Sequence, residues 1–291
     1  MAKFSTLTQD QTRSIKLLGL PLIYALLLLA VPLGSIVLFS FWTQDFMTVD
    51  TTFTTANYRE IWDSPIYSLL LRRSLMVSGI VTAVTVLLAY PVAYFISFHV
   101  HPSKKSIWLF LITIPFWTSY LIRVFLWKVI LGYNGVINSG LLQLGIIDEP
   151  LTFILYNVNA VIITLAHAFA PFAILPIFVV LEKIDRSLLE ASQDLGETKF
   201  STFLRVTLPL SMPGVVGAVL IVFIPTIGDY VTPELMGGAG GKLIANMIQT
   251  QFLQLNNAPL GAALAIVAMI CVTAISLIFV FLNRKYLRGR T

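Results

Sequence analysis

Two acidic residues and three aromatic rings have the types and spacing to bind a cation. Asp229 and Glu234 lie either side of Tyr230, and Trp117 and Tyr120 are close together in an earlier segment. Carboxylates attract ammonium groups, and an aromatic face adds a cation–π contact of about 0.5–2 kcal/mol. We predict that all five residues contact a small cationic solute. The alternative is an ordinary acidic loop flanked by interfacial aromatic residues.

Two basic residues near these rings argue against a purely cation-binding role. Arg123 and Lys128 follow Tyr120 in the same apolar segment. Because cations in a pathway repel cations, we predict that both are structural. At least one is expected to pair with Asp229 or Glu234, and Lys128 can extend its ammonium group to the outer interface.

Other chemistry finds little support in the sequence. Gly241-Lys242 resembles the end of a phosphate-binding loop, but Met236 and Leu243 replace the required Gly and Ser/Thr. His99 and His101 are too few to ligate zinc. No nucleophile, base and orienting group can be assembled. We therefore predict no catalytic residue, no metal site and no cofactor in this chain.

Composition identifies the class of protein. The 291 residues are 57% hydrophobic and 11% charged, with a mean hydropathy of +0.86. A soluble domain carries about 25% charged residues, so a soluble enzyme is excluded. Disorder is excluded because it needs low hydrophobicity. The sequence predicts a polytopic membrane protein with one transmembrane domain. Its net charge of +5 fits basic cytoplasmic loops better than nucleic-acid binding.

Charge-poor segments predict six spans, because a bilayer core needs about 20 apolar residues as a helix. The single transmembrane domain is 17–283, between a cytoplasmic tail 1–16 and a basic cytoplasmic tail 284–291. The spans cover about 17–42, 74–98, 107–131, 158–181, 210–228 and 261–282. Leu243–Leu255 is predicted as a separate interfacial or pore-edge helix. When the N-terminus is placed inside, most of the 19 Lys and Arg residues fall on the cytoplasmic side. Because basic residues favour cytoplasmic loops, both termini are predicted to be cytoplasmic.

The polar segment 182–213 on the cytoplasmic face is too long for a simple turn. Ser187 precedes a run of helix formers, with Glu190 near its start, where a carboxylate suits the helix dipole. Gly196 predicts a turn that a residue with Cβ would resist. A second amphipathic piece follows and is expected to end at Pro209. The resulting knob either binds a partner or only anchors the loop at the membrane.

The spacing within this segment resembles the EAA loop of ABC importer permeases. The family pattern is Glu-Ala-Ala, three residues, Gly, nine residues, Ile, one residue and Leu-Pro. The matching residues are Glu190, Ala191, Ser192, Gly196, Val206, Leu208 and Pro209, with Ser192 and Val206 departing from the family types. The resemblance implies that these residues couple the chain to an ATPase subunit, into whose groove the loop docks.

Further segments are similar to the first permease subunit of spermidine/putrescine importers. They are Ile114–Arg123, Asn134–Asn138, Leu144–Asp148 and Phe223–Gly238. The resemblance implies an all-α, six-span type I ABC importer (MetI-like) fold in a bacterial inner membrane, forming half of a translocation pathway. It also implies a second permease, an extracytoplasmic solute-binding protein, and two ATPase subunits that bind ATP and Mg.

Polyamines are the solutes implied by this resemblance, and other classes stay open. Another organic cation or an amino-acid-like compound would suit a related ABC permease. A secondary transporter driven by an ion gradient would need ionisable groups buried within the membrane, and a channel or scaffold subunit would lack an ATPase partner.

Overall fold

The computed structural model describes residues 9–46 and 48–287, and these are mainly helical. The five longest helices are α1 (Gln9–Phe39), α3 (Pro65–Phe98), α7 (Val158–Glu182), α10 (Leu208–Ile227) and α13 (Ala258–Leu282). The shorter helices are α2 (Ala56–Asp63), α4 (Pro102–Thr113), α5 (Tyr120–Ile130), α6 (Val136–Gln143), α8 (Arg186–Asp194), α9 (Lys199–Thr202), α11 (Val231–Met236), α12 (Ile244–Leu253) and α14 (Arg284–Leu287). Strands β1 (Thr43–Asp45) and β2 (Thr48–Asp50) form an antiparallel hairpin.

Five segments are long and apolar enough to cross a membrane. They are Leu17–Phe39, Pro65–Phe98, Val158–Glu182, Lys199–Ile227 and Ala258–Leu282. A sixth crossing is obtained when Pro102–Trp117 and Tyr120–Ile130 are counted together, although these two pieces meet at 90°. The predicted helical fold with six spans therefore agrees with the structure when this bent pair is one span.

The bend interrupts the span expected at about 107–131. Ile114–Trp117 forms a single 3-10 turn, and Thr118 and Ser119 are extended before α5 begins. Pro115 has no N–H to donate and its ring clashes with the preceding helical turn, which explains why α4 ends here. The Thr118 hydroxyl donates to the Pro115 carbonyl at 2.9 Å, so part of the freed backbone is satisfied locally.

The segment between the first two spans contains structure that the sequence did not predict. The β1–β2 hairpin pairs Thr43 with Asp50, and α2 follows it. The buried Asn57 side chain donates to the carbonyls of Ser40 and Trp42 at 3.0 and 2.7 Å. The second span starts at Pro65 rather than near residue 74, because Pro suits the first helical turn.

The main core is formed where α3, α7 and α10 pack together. Small residues allow this, including Ala89 and Ala93 of α3, which are 1% and 0% exposed. Gly214 of α10 lies against α7 so closely that a Cβ would be 2.8 Å from the Pro176 carbonyl oxygen. Small residues at helix crossings are typical of membrane proteins, where close backbone approach supplies van der Waals contact.

A second core cluster joins α12 and α13 to α3 and α10. Its members include Tyr67, Leu70, Phe223, Ile244 and Leu264. Helix α12 confirms the separate helix expected at Leu243–Leu255. By contrast, the apolar side chains of α1 from Leu17 onward are largely exposed, which fits a helix that faces lipid.

The chain ends extend beyond the described residues. Residues 1–8 of the tail expected at 1–16 lie outside the described residues, and helix α1 begins at Gln9. Helix α14 covers the first half of the tail expected at 284–291, and residues 288–291 also lie outside it.

Candidate functional site

The break in the third span places Tyr120 at the start of α5, beside the turn that follows α10. Its hydroxyl donates to Asp229 Oδ2 at 2.8 Å and shares a hydrogen bond of 2.6 Å with the Thr232 hydroxyl. The other Asp229 oxygen accepts from the Val231 amide at 3.1 Å. Tyr120 and Asp229 were predicted independently from two distant segments, and the structure brings them into contact.

The Asn246 amide joins the acidic turn to α12. This residue is 2% exposed, and its Nδ2 donates to the Tyr230 carbonyl at 2.9 Å and to Glu234 Oε2 at 3.2 Å. Its carbonyl oxygen accepts from the Leu243 amide at 3.0 Å. Asn246 was not among the residues predicted from the sequence. The available signal was an amide side chain within the apolar first half of a short helix.

Helix α3 anchors the loop that links α11 to α12. Arg73 Nη1 donates to the Gly240 carbonyl at 2.7 Å, and the Ser74 hydroxyl accepts from the Ile244 amide at 2.8 Å. Lys242 Nζ lies 3.9 Å from Glu234 Oε2, a long ion pair between two half-exposed side chains. Tyr230 and Glu234 themselves stay exposed, so the held turn presents a ring and a carboxylate outward.

The expected ion pair of Arg123 or Lys128 with Asp229 or Glu234 does not form among the described residues, where Glu234 lies nearest to Lys242 instead. The Arg123 guanidinium carbon lies 5.7 Å from the Tyr120 ring centroid and 5.9 Å from that of Phe116. Its Nε and Nη1 are buried and donate to no acceptor within the described chain. The prediction was wrong because Tyr120 already bonds Asp229, while aromatic faces surround the guanidinium instead.

The remaining predicted residues lie at the edge of this cluster or apart from it. Lys128 Nζ lies 5.7 Å from the Tyr156 ring, so its charge also contacts an aromatic face. The Trp117 ring is 76% exposed and packs edge-on against Phe110 at 5.6 Å. Within the described residues, no hydrogen bond or ring contact joins Trp117 to the acidic cluster.

A large apolar groove runs beside Tyr230, between α10, α12 and α13. Its volume is about 750 Å³, and Ile224, Ile248 and Met269 are among its lining residues. Asp229 and Glu234 do not line it. An apolar lining cannot compensate ammonium groups, so the groove alone does not account for a cationic solute. Among the described residues, no three His, Cys, Asp or Glu side chains are grouped as metal ligands.

The segment expected on the cytoplasmic face forms the predicted pair of short helices, with a different start. Asp185, rather than Ser187, caps α8, and its Oδ1 accepts from the Ser187 amide at 3.0 Å. This bond holds the pKa of the Asp185 carboxyl below its usual range. Glu190 therefore lies in the middle of α8 and not near its start, because the helix begins at Arg186.

Gly196 makes the turn between α8 and α9 in the left-handed conformation, with φ of +88°. The Gly196 amide donates to the Gln193 carbonyl at 2.9 Å, and the Glu197 amide donates to the Ser192 carbonyl at 3.2 Å. These two bonds form a Schellman motif, which satisfies the free carbonyls at a helix end. The predicted glycine turn is confirmed.

Helix α9 continues into α10 without the break expected at Pro209. Phe203–Thr207 forms a π-helical turn, and Pro209 lies in the first turn of α10. Because Pro209 has no N–H, the Arg205 carbonyl lacks its normal helical donor, and the wider turn accommodates this. Val206 and Leu208 lie within or directly after that turn. The Ser201 hydroxyl and Arg205 both contact Glu197 and hold its pKa below the usual range.

The knob exposes apolar side chains together with its acidic residue. Leu195 and Phe200 are 86% and 71% exposed, and Glu190 and Ala191 are also exposed. Ser192 turns inward, sharing a hydrogen bond of 3.0 Å with Thr202 of α9. Phe203 instead packs edge-on against Tyr90 and Tyr94 of α3. The knob is therefore held against the helices and leaves an apolar, acidic surface uncovered.

Known proteins share this sequence and architecture. The spermidine/putrescine transport system permease protein PotB of Haemophilus influenzae is 40% identical over 237 residues, covering 81% of each chain. The inner membrane ABC transporter permease protein YdcU of Escherichia coli is 32% identical over 254 residues, covering 82% of this chain and 80% of its own.

A solved structure confirms the fold. A chain of a bacterial alginate ABC transporter, crystallised with an alginate pentasaccharide-bound periplasmic protein, superposes with a TM-score of 0.74 at 18% identity. The match covers 96% of this chain and 98% of the other. Residues 86–288 match the family of binding-protein-dependent transport system inner membrane components, a match that includes the bent span, the knob and the acidic turn. The chain belongs to this family of ABC importer permeases.

Proposed function

We propose that this chain is a permease subunit of an ATP-driven importer and forms half of a translocation pathway for polyamines such as spermidine and putrescine. The observation that carries the solute class is the held acidic turn. Tyr120 holds Asp229 and Asn246 holds the Tyr230 carbonyl, while Tyr230 and Glu234 remain exposed. Arg73 holds the Gly240 carbonyl in the loop that follows. A polyamine presents several ammonium groups on an apolar chain, which suits two carboxylates beside aromatic rings.

The identity to permeases named for spermidine and putrescine supports the same solute class. The tightly held acidic turn favours a fixed site over a loose acidic loop, because preorganised groups lose little entropy on binding. Trp117 is proposed as a further ring in the pathway, since its side chain is largely exposed.

The knob at 186–209 is proposed as the ATPase contact. Glu190, Ala191, Ser192, Gly196, Val206, Leu208 and Pro209 form or support it. Exposed Leu195 and Phe200 would be costly in water, and burial of each against a partner would recover about 1.5–3 kcal/mol. When the ATPases close on ATP, the knob is pulled and the spans rock, opening the cavity outward and then inward.

This function requires partner proteins that complete the transporter. They are a second homologous permease, two ATPase subunits that bind ATP and Mg, and an extracytoplasmic solute-binding protein. The chain itself carries no catalytic step. The proposed location is the bacterial inner membrane, with both termini cytoplasmic, which keeps the knob on the side where ATP is available.

The test is radiolabelled spermidine uptake by the complete transporter in proteoliposomes. ATP inside should drive uptake, and unlabelled putrescine should compete more strongly than amino acids. Uptake that continues without ATP and collapses with an uncoupler would overturn the function in favour of ion-gradient transport. Effective competition by amino acids, with none by putrescine, would overturn the solute class while leaving the ABC permease assignment intact.

A further inference from the structure

An ion pair between a buried lysine and a partly exposed glutamate joins the cytoplasmic ends of three spanning helices. Lys105 of α4 is 8% exposed, and its Nζ lies 2.6 and 2.7 Å from the two carboxylate oxygens of Glu182, at the end of α7. The same Nζ donates to the Ser97 carbonyl at the end of α3, at 2.9 Å. The Ser97 hydroxyl donates to Glu182 Oε2 at 3.1 Å. Every donor of the ammonium group is used.

The position of each group explains why they meet. The Ser97 carbonyl is in the last turn of α3, where carbonyls have no helical partner and favour cations. Glu182 is a carboxylate at the negative end of α7, an unfavourable place that a bound lysine compensates. Removing Lys105 would take the ion-pair partner from Glu182, which would keep the Ser97 hydroxyl as a donor, and would leave the Ser97 carbonyl with Arg186 as its donor. Because the lysine is buried, its loss costs more than the loss of a fully exposed ion pair.

The coupling helix α8 is attached to this junction. Arg186, its first residue, donates from Nη2 to the same Ser97 carbonyl at 2.9 Å. The Arg186 guanidinium also lies 5.6 Å from the Phe98 ring. Further along α8, Ser192 shares a hydrogen bond with Thr202 of α9. The coupling helix is therefore bonded at its start to α3 and later to the segment that leads into α10.

We propose that Lys105, Glu182, Ser97 and Arg186 form a junction that makes α8 move together with the ends of α3, α4 and α7. Lys105 and Glu182 are then positioning residues for energy coupling. They convert movement of the knob into movement of the spans and touch neither solute nor nucleotide. This inference rests on the proposed coupling role of the knob.

The test compares Lys105→Gln with Lys105→Arg in the complete transporter in proteoliposomes. Spermidine uptake and ATP hydrolysis are measured together, at equal amounts of assembled complex. Lys105→Gln should keep ATP hydrolysis but lower spermidine transported per ATP by about tenfold, a usual size for lost coupling between sites. Lys105→Arg keeps the charge and the donors and should restore most of the ratio. Lys104→Met, at an exposed neighbour on the same helix, is the matched control and should match the wild type.

Two outcomes would overturn the proposal. Equal uptake per ATP in the Lys105→Gln and wild-type transporters would remove any role in coupling. A Lys105→Gln complex that fails to assemble, beside a normal Lys105→Arg complex, would assign the pair to folding alone. Neither result bears on the proposed contact between the knob and the ATPase, which Gly196 variants test separately. A lower ratio of spermidine transported to ATP hydrolysed in Lys105→Gln, with normal ratios in Lys105→Arg and Lys104→Met, supports the junction.

Discussion

The Tyr120 hydroxyl donates a hydrogen bond of 2.8 Å to Asp229, joining the start of α5 to the turn that follows α10. This bond links two segments that are more than a hundred residues apart and fixes the orientation of one carboxylate. Because the second Asp229 oxygen is held by the Val231 amide, the carboxylate cannot rotate freely. A bent span and an acidic turn therefore form one structural unit.

Removing the two negative charges of this unit should weaken recognition of a polycation. In the double variant Asp229→Asn with Glu234→Gln, the spermidine concentration for half-maximal ATPase stimulation should rise about tenfold, equivalent to about 1.4 kcal/mol. The matched control is Asp148→Asn with Glu149→Gln, which removes the same charge from exposed positions between α6 and α7. An equal shift in both double variants, or none in either, would contradict a specific site at the acidic turn.

The Arg123 guanidinium lies over the ring of Tyr120, whose hydroxyl holds Asp229. Its positive charge therefore repels a cation bound at Asp229. Arg123→Gln should lower the half-maximal spermidine concentration by a factor of about two to five. That factor corresponds to about 0.4–1 kcal/mol, which is below the repulsion of about 1.7 kcal/mol between unit charges roughly 10 Å apart at an effective dielectric constant of about 20. Lys128→Gln, which removes a charge beside Tyr156, should change it less. A rise in the Arg123→Gln value would instead mean that the guanidinium supports the site.

The sequence allowed the fold class, the separate helix before the last span and the glycine turn at Gly196 to be predicted. These depend on local signals: the length of the apolar runs, the break Asn256-Asn257-Ala258-Pro259 before the last span, and a glycine within a polar segment. The bend at Pro115 and the continuous helix through Pro209 show where such signals fail. A proline has the same local effect in both places, and the surrounding packing decides whether the helix bends or widens.

The contacts of the site were harder to predict than its members. Tyr120 and Asp229 were singled out by residue type, but their mutual bond depends on how α5 packs against α11. The Arg123 pairing was wrong for the same reason. Asn246 and Lys105 were missed because their roles come from partners that are distant in the chain.

Gly196 should be sensitive to substitution because of its backbone and not because of space. Its φ is +88°, while no atom of the described residues lies within 4 Å of the position that a Cβ would take. Gly196→Ala should therefore strain the α8–α9 turn by about 1–2 kcal/mol and lower spermidine uptake per ATP. Gly196→Trp should abolish uptake with membrane insertion intact. Gly145→Ala is the control, since Gly145 also has a positive φ, of +65°, and open space. Equal uptake defects at both glycines would contradict a coupling role specific to the knob.

Gly214 should be needed for the close packing of α10 against α7. A methyl group there would lie 2.8 Å from the Pro176 carbonyl oxygen and 3.1 Å from the Ile177 Cα, both backbone atoms that cannot move independently. Overpacking of this kind costs about 1–3 kcal/mol, so Gly214→Ala should lower the thermal unfolding midpoint of the purified complex. Gly79→Ala on α3 has nothing within 4 Å and should keep or raise the midpoint, because alanine favours a helix by about 1 kcal/mol. If both variants unfold at the same temperature, the two helices can separate enough to admit a methyl group, and close contact at Gly214 does not hold the core together.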